Sequence, residues 1–387
     1  MFKSVFKCGI KNVYVTNLIF TKNVRFLEHS TVGIVNDESP FVNRCQKFDF
    51  SLESEQIYSV FPSILEEVID EQLYYHQHLS ELKERYTKLM NYTCYADDKF
   101  MGSSIMHMHA YKSLEKASLL NEENIKMASI LAWCIRMLVT SMIIDDDIMD
   151  NSILRYNKPT WLNLSDIGIN NAICDASFVE TSAFYLLTNH FSCHPQYVNI
   201  QREMLRNYST SMVSICMDNR QYKVHEFEKY QNYVKGYPCT VPPVLTAMYL
   251  ANIDDQRLHT CARELLMDIG IYLKIEDDYE GVYGINTQKD CTDVAEGRAT
   301  WLAVEAYKRG NTAQKKIIEQ NYGRDNIESI MSIYKIYDEL NLKEKFEYYK
   351  EDFYNDIFKR IQELPKELPQ QLFVDVLDFA AMGKFRS

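Results

Sequence analysis

The sequence predicts an all-α protein, and three observations carry that expectation. From about Leu52 onward Gly and Pro are sparse; the whole chain of 387 residues has 12 and 9 of them. Apolar or small residues recur at helical spacing, as in Met127, Ile130, Leu131, Cys134, Leu138, Ser141 and Met142, the signature of a face turned to a core. Breakers gather at Asn157-Lys158-Pro159, His194-Pro195, Pro238 to Pro243, Gly281 to Asn286 and Leu364 to Pro369, which would separate helices of about 15 to 25 residues. No strand pattern competes, and no repeat of solenoid period is present.

With 46% hydrophobic residues the chain can bury a large core. It reads as an extension, residues 1–50, followed by one mainly helical catalytic domain, residues 51–387. The net charge of -12 excludes a general nucleic-acid binder, which needs a basic surface to displace phosphate counterions. A small molecule is the expected partner. The ten cysteines are scattered with no CxxC pair, as expected of thiols in a reducing, cytoplasmic setting. No run approaches the continuous apolar length of a membrane span. Ahead of Glu28 the extension carries Lys3, Lys7, Lys11, Lys22 and Arg25 among apolar residues and no acid. That is the pattern of an organelle transit peptide and would send the protein to the mitochondrion; the alternative is a frayed cytosolic extension.

The chemistry concentrates in Asp146-Asp147-Ile148-Met149-Asp150. On a helix these three carboxylates project from one face. An apolar approach, Met142 to Ile144, runs into them, which suits a solvated surface poorly. Like charges held this close repel, so deleting Asp146 or Asp150 should leave the metal-free fold as stable or more so. Hard cations would neutralise them, and magnesium with a diphosphate fits best, because magnesium is held by one or two carboxylates plus substrate phosphates. A second cluster, Glu276-Asp277-Asp278-Tyr279-Glu280, follows the apolar run Ile269 to Leu273 in the same way. Two such helices can face one another across a central cavity of a bundle. By themselves the clusters leave the reaction open.

The stretch from Trp133-Cys134 through Asp150-Asn151-Ser152, then Arg155 and Trp161, resembles the first aspartate-rich region of farnesyl diphosphate synthases, and Gly270 through Tyr279 resembles the second. Ala247 to Ala251 and Thr292-Asp293 to Thr300-Trp301-Leu302 are similar to that family too. The resemblance implies the all-α isoprenoid synthase helical bundle, a homodimer, and roughly three magnesium ions acting as Lewis acids on the diphosphate leaving group. Matched position by position, it implies metal contacts from Asp146, Asp147, Asp150, Asp277, Asp278 and Glu280. Substrate contacts would come from Arg155, Lys289, Arg298 in place of a family lysine, Lys235 displaced by one position, and Lys99. Asp218, on an expected helix Glu203 to Asp218, is a further metal-contact candidate.

The site for a second, attacking substrate is less complete. Where the family has Gly-Gly-Lys-x-x-Arg, Asp97-Asp98-Lys99-Phe100-Met101-Gly102 keeps the lysine and loses the arginine. Tyr156 and Val139 replace a family arginine and glutamine, and each lost charge-assisted contact removes roughly 1.5 to 3 kcal/mol. Gly281 stands where the second motif has its last aspartate, and Glu280 lies about 100° round the helix from it. An intact ionising site beside a decayed acceptor site is expected of a terpene synthase descended from a farnesyl diphosphate synthase, as in insects. Such an enzyme converts farnesyl diphosphate to a sesquiterpene and releases diphosphate. Condensation with isopentenyl diphosphate, and an inactive partner subunit, are the alternatives. His76 with His78 and His107 with His109 have i, i+2 spacing, which points the rings to different helix faces and argues for packing or surface roles over zinc.

Overall fold

Among the described residues Glu122–Asp150 forms the longest helix, and it packs against five others. In the computed structural model the described residues are 48–95, 101–218, 223–226, 237–283 and 293–381. All of them fall within one unit, Arg44–Ser387. The basic extension and its expected role in targeting lie outside them.

Fourteen helices are present among the described residues. The first six are α1 (Ser51–Gln72), α2 (Ser80–Leu89), α3 (Gly102–Leu114), α4 (Glu122–Asp150), α5 (Gly168–Phe191) and α6 (Tyr197–Asp218). Next come α7 (Tyr237–Leu250), α8 (Gln256–Tyr283) and the short α9 (Asp293–Glu296). The C-terminal set is α10 (Trp301–Arg309), α11 (Thr312–Asn321), α12 (Ile327–Glu339), α13 (Leu342–Gln362) and α14 (Gln370–Ala381). This is the all-α isoprenoid synthase architecture expected from the sequence.

Helix α4 packs against α1, α3, α5, α6 and α7. Its start is set by Asn121, whose side chain accepts the Asn124 N–H, with Glu122 and Glu123 favourably placed in the first turn. Its end is set by Asn151, which takes the left-handed conformation (φ 50°) common after a C-cap. Trp133 Nε1 donates to the Ile57 carbonyl at 2.7 Å and locks α1 alongside. Helix α4 is long and apolar enough on average to cross a membrane, although Arg136, Thr140 and Ser141 interrupt any continuous apolar run. Its most apolar window is 89% buried by neighbouring helices, so it is the core helix of the bundle.

The breakers at His194-Pro195 and Leu364 to Pro369 do separate helices, α5 from α6 and α13 from α14. Two other breaker clusters behave differently. Pro242 and Pro243 lie inside α7; a proline at 243 cannot donate to the Cys239 carbonyl, and Ser103 Oγ donates to that oxygen instead. Around Asn157 the chain forms a small hairpin, Leu154–Arg155 (β1) paired antiparallel with Lys158–Pro159 (β2). Tyr156 and Asn157 carry positive φ of 55° and 59°, the geometry of a tight two-residue turn. Two-residue strands are too short to leave an alternating pattern in the sequence.

A second apolar core lies between the end of α8 and α10–α13. Tyr279 stacks on Phe346 at 3.8 Å, and Trp301 meets Phe346 edge-on. This core fixes the C-terminal half of α8, where the second acidic motif sits. His107 is buried with Nδ1 at 3.0 Å from the Pro243 carbonyl, His109 meets Asp375, and His76 and His78 are exposed. These histidines serve packing and surface roles.

Candidate active site

Both acidic motifs lie toward helix C-termini, where the macrodipole is negative and carboxylates are disfavoured. Cations must offset this, and the structure shows which ones. Asp146 and Asp150, one turn apart at the end of α4, keep 31% and 19% of their side-chain surface, while Asp147 keeps 5%. Arg155, presented by β1, donates from Nε to Asp147 Oδ1 at 2.8 Å and from a terminal nitrogen to Asp146 Oδ2 at 3.0 Å. Burial opposes its charge, but Asp147 and Asp146 outweigh that and raise its pKa.

Arg298, in the turn before α10, donates to Asp150 Oδ1 at 2.6 Å across 148 residues of sequence, and to Glu296 at 2.8 Å. This pair ties the segment that follows the second motif to the end of the first. The Asp150 pKa is raised by burial and by Asp146, against which Arg298 works. The carboxylates of the first motif are therefore each matched with an arginine, so deleting Asp146 or Asp150 removes an attraction to Arg155 or Arg298 as well as a repulsion, and the expected stability gain is smaller than repulsion alone implies.

Three aspartates of equal promise in the sequence thus divide by geometry. Asp147 is sunk against Arg155 and positions it, whereas Asp146 and Asp150 remain half open on the same face. Asp145 lies near Glu180 of α5 and Tyr208 of α6; burial, Glu180 and Asp146 push its carboxyl up to about 6.

The hairpin that carries Arg155 is held firmly. Tyr92 Oη donates to the Pro159 carbonyl at 2.7 Å. Trp161 Nε1 donates at 2.7 Å to the buried Asp175, which also takes a 2.6 Å bond from Arg85. Behind the hairpin a pocket opens, lined by Tyr92, Tyr95, Arg136, Thr140, Tyr156 and Trp161 among others. Arg136 is buried there and donates to the Cys94 and Thr93 carbonyls at 3.1 and 3.2 Å.

On α8, Glu276 is buried. It accepts from Tyr272 Oη at 3.1 Å and lies 3.4 Å from Lys350 Nζ on α13. Asp277 is exposed, Glu280 half-buried and Asp278 buried. Lys274, one turn earlier, donates to Asp278 Oδ1 and lies 3.8 Å from Asp277 Oδ2. Burial opposes its charge, but Asp278, Asp277 and Asp293 hold its pKa above the ordinary lysine value.

Sequence reasoning passed over Lys274, although its i, i+4 spacing to Asp278 was in view; it reads as the end of an apolar run. It also passed over Arg136, Arg85 and Asp175, for which no local pattern gives a signal. Lys99, Lys235 and Lys289 lie outside the described residues, and Asp218 is the last residue of α6.

Among the described residues no three acidic, histidine or cysteine side chains converge into a ready cation site. A cation here would share its shell with substrate oxygens and water, which is how magnesium usually binds. Asp146 and Asp150, part-open and one turn apart, lie near Arg155 and Arg298, while Asp278 is buried beside Lys274.

Residues 83–340 match the family model described as polyprenyl synthetase. The chain is 30% identical over 359 residues to a farnesyl pyrophosphate synthase of Murgantia histrionica, covering 90% of this chain and 85% of that one. It is 30% identical over 328 residues to the farnesyl pyrophosphate synthase of Nezara viridula, covering 82% and 80%. With the farnesyl pyrophosphate synthase of Mus musculus it shares 26% identity over 347 residues, covering 87% and 98%.

Proposed function

The chain belongs to the polyprenyl synthetase family, and from that premise we propose that it ionises an allylic prenyl diphosphate with the help of magnesium. One observation carries the reading: Asp146 and Asp150 share a part-open face, and the two cations that border it, Arg155 and Arg298, arrive from separate segments. A diphosphate entering between these arginines competes with the aspartates for their N–H groups. Guanidinium forks bind phosphate oxygens through parallel hydrogen bonds, so the exchange is favourable in geometry as well as in charge. Asp147 keeps Arg155 aimed while Asp146 and Asp150 are released. Magnesium held by Asp146 and Asp150 would supply Lewis-acid charge to the departing diphosphate.

Two fates of the allylic cation have support. Transfer to isopentenyl diphosphate, giving a longer prenyl diphosphate, is supported by relatives that span most of the chain and are named as farnesyl pyrophosphate synthases. Conversion within the same molecule to a terpene is favoured by the acceptor-side positions. There Gly102 and Val139 are buried, neutral residues and Tyr156 lines the pocket without a charge. The buried Arg136 in that pocket donates to backbone carbonyls. The test is incubation of purified protein and magnesium with geranyl or farnesyl diphosphate, alone and with isopentenyl diphosphate. Longer diphosphates only when both substrates are present mean transfer. A hydrocarbon or alcohol from the allylic substrate alone means terpene formation. No release of diphosphate from any allylic substrate would refute the ionisation reading itself.

A further inference from the structure

The second acidic motif meets a cation of its own helix. Lys274 lies one turn before Asp278, donates to Oδ1 of that carboxylate, and lies 3.8 Å from Asp277 Oδ2. Its side chain keeps 25% of its surface and that of Asp278 6%, so the pair is part-buried. The arginines of the first motif stand on a hairpin and on the turn before α10, outside the helix whose carboxylates they pair. Lys274 has no such freedom, because α8 is continuous from Gln256 to Tyr283.

Of the other acids nearby, Glu276 is engaged with Tyr272 and Lys350, Gly281 supplies no carboxylate, and Glu280 and Asp293 add negative charge without displacing Lys274 from Asp278. A dication drawn to Asp277 and Asp278 would therefore sit within a few ångströms of a fixed positive charge, and the carboxylate nearest to that charge is already bonded to it. The repulsion on a dication at such a distance is twice that between two unit charges.

We infer that Lys274 Nζ takes the place of a divalent ion at the second acidic motif, so that metal sites assemble with diphosphate on the first motif only. The inference rests on the reading of the acidic motifs as a metal and diphosphate site. It assigns Lys274 a positioning and charge-balancing role; contact with substrate is no part of it.

The experiment counts manganese ions bound per chain in the presence of inorganic pyrophosphate, by the loss of the free-ion paramagnetic resonance signal. The full chain is compared with Lys274→Gln, Lys274→Arg and Asp277→Asn. The expected result is one more ion in Lys274→Gln than in the unaltered protein, and no change in Lys274→Arg. Asp277→Asn should also leave the count unchanged in the wild-type background, yet remove the extra ion when combined with Lys274→Gln. Equal counts in the unaltered protein and a folded Lys274→Gln would overturn the inference. So would the loss of an ion in Asp277→Asn alone, which stays decisive even if Lys274→Gln does not fold. Failure of every variant and of the unaltered protein to bind manganese with pyrophosphate would refute the metal and diphosphate reading as a whole.

Discussion

The two acidic motifs occupy equivalent places, near the C-terminal ends of α4 and α8, and meet the same electrostatic difficulty with cations of different origin. The first is balanced by Arg155 and Arg298, which reach the helix from a hairpin and from a turn 148 residues away in sequence. The second is balanced by Lys274, one turn back on the same helix. Partners brought by other segments can be exchanged for a ligand without disturbing the helix. A partner on the same helix and largely buried is part of the resting charge of the motif. The comparison teaches that an acidic motif signals a need for positive charge, and that its surroundings decide whether a metal, a substrate contact or a side chain supplies it.

The sharpest way to break the comparison is at Asp147. If it anchors Arg155, Asp147→Ala leaves that buried guanidinium with Asp146 as its remaining carboxylate and should cost about 3 kcal/mol of stability, the low end for breaking a buried pair, read from denaturant unfolding. Adding Arg155→Met should recover a large part of that loss. An unchanged unfolding midpoint in Asp147→Ala would show that the pair carries no structural weight.

Next in size is the open pair. Asp150→Ala and Asp146→Ala should each lower turnover of an allylic diphosphate by a factor of about 10² to 10³, the range seen when one group stabilising transition-state charge is removed. Circular dichroism should show the helical content retained. Turnover within a factor of about two of wild type in both variants would place the chemistry elsewhere.

The smallest effect is expected at Asp145, which faces Glu180 where its neighbours face arginines. Its folded-state pKa, pushed up to about 6, lies above the unfolded value. Its contribution to stability is therefore full below about pH 4 and lost as pH rises through about 6. At neutral pH the charged carboxylate opposes folding. Asp145→Asn should then be more stable than wild type at pH 7 by about 1 to 2 kcal/mol after allowance for solvent screening. The gap should close as pH is lowered to 4, and thermal unfolding of the metal-free proteins across that range measures it. A gap that widens on acidification would contradict the assignment.

The sequence by itself determined the helical class, the course of α4, and the alignment of Asp146, Asp147 and Asp150 on one face, because helical periodicity is a local property of residues three and four apart. It also pointed to Arg155, which follows the motif closely enough to share its neighbourhood. The tertiary structure alone decided the rest. The burial of Asp147 beside the openness of Asp146 and Asp150 depends on the hairpin pinned by Tyr92 and by Trp161 with Asp175. The Arg298 to Asp150 pair depends on folding the segment before α10 back onto the end of α4. For Lys274 the spacing was legible and the consequence was not. A lysine one turn before an aspartate is a minor surface pair when solvated. Only the packing of α8 against α10 and α13 shows it part-buried beside a buried Asp278, where water screens the pair less than at the surface.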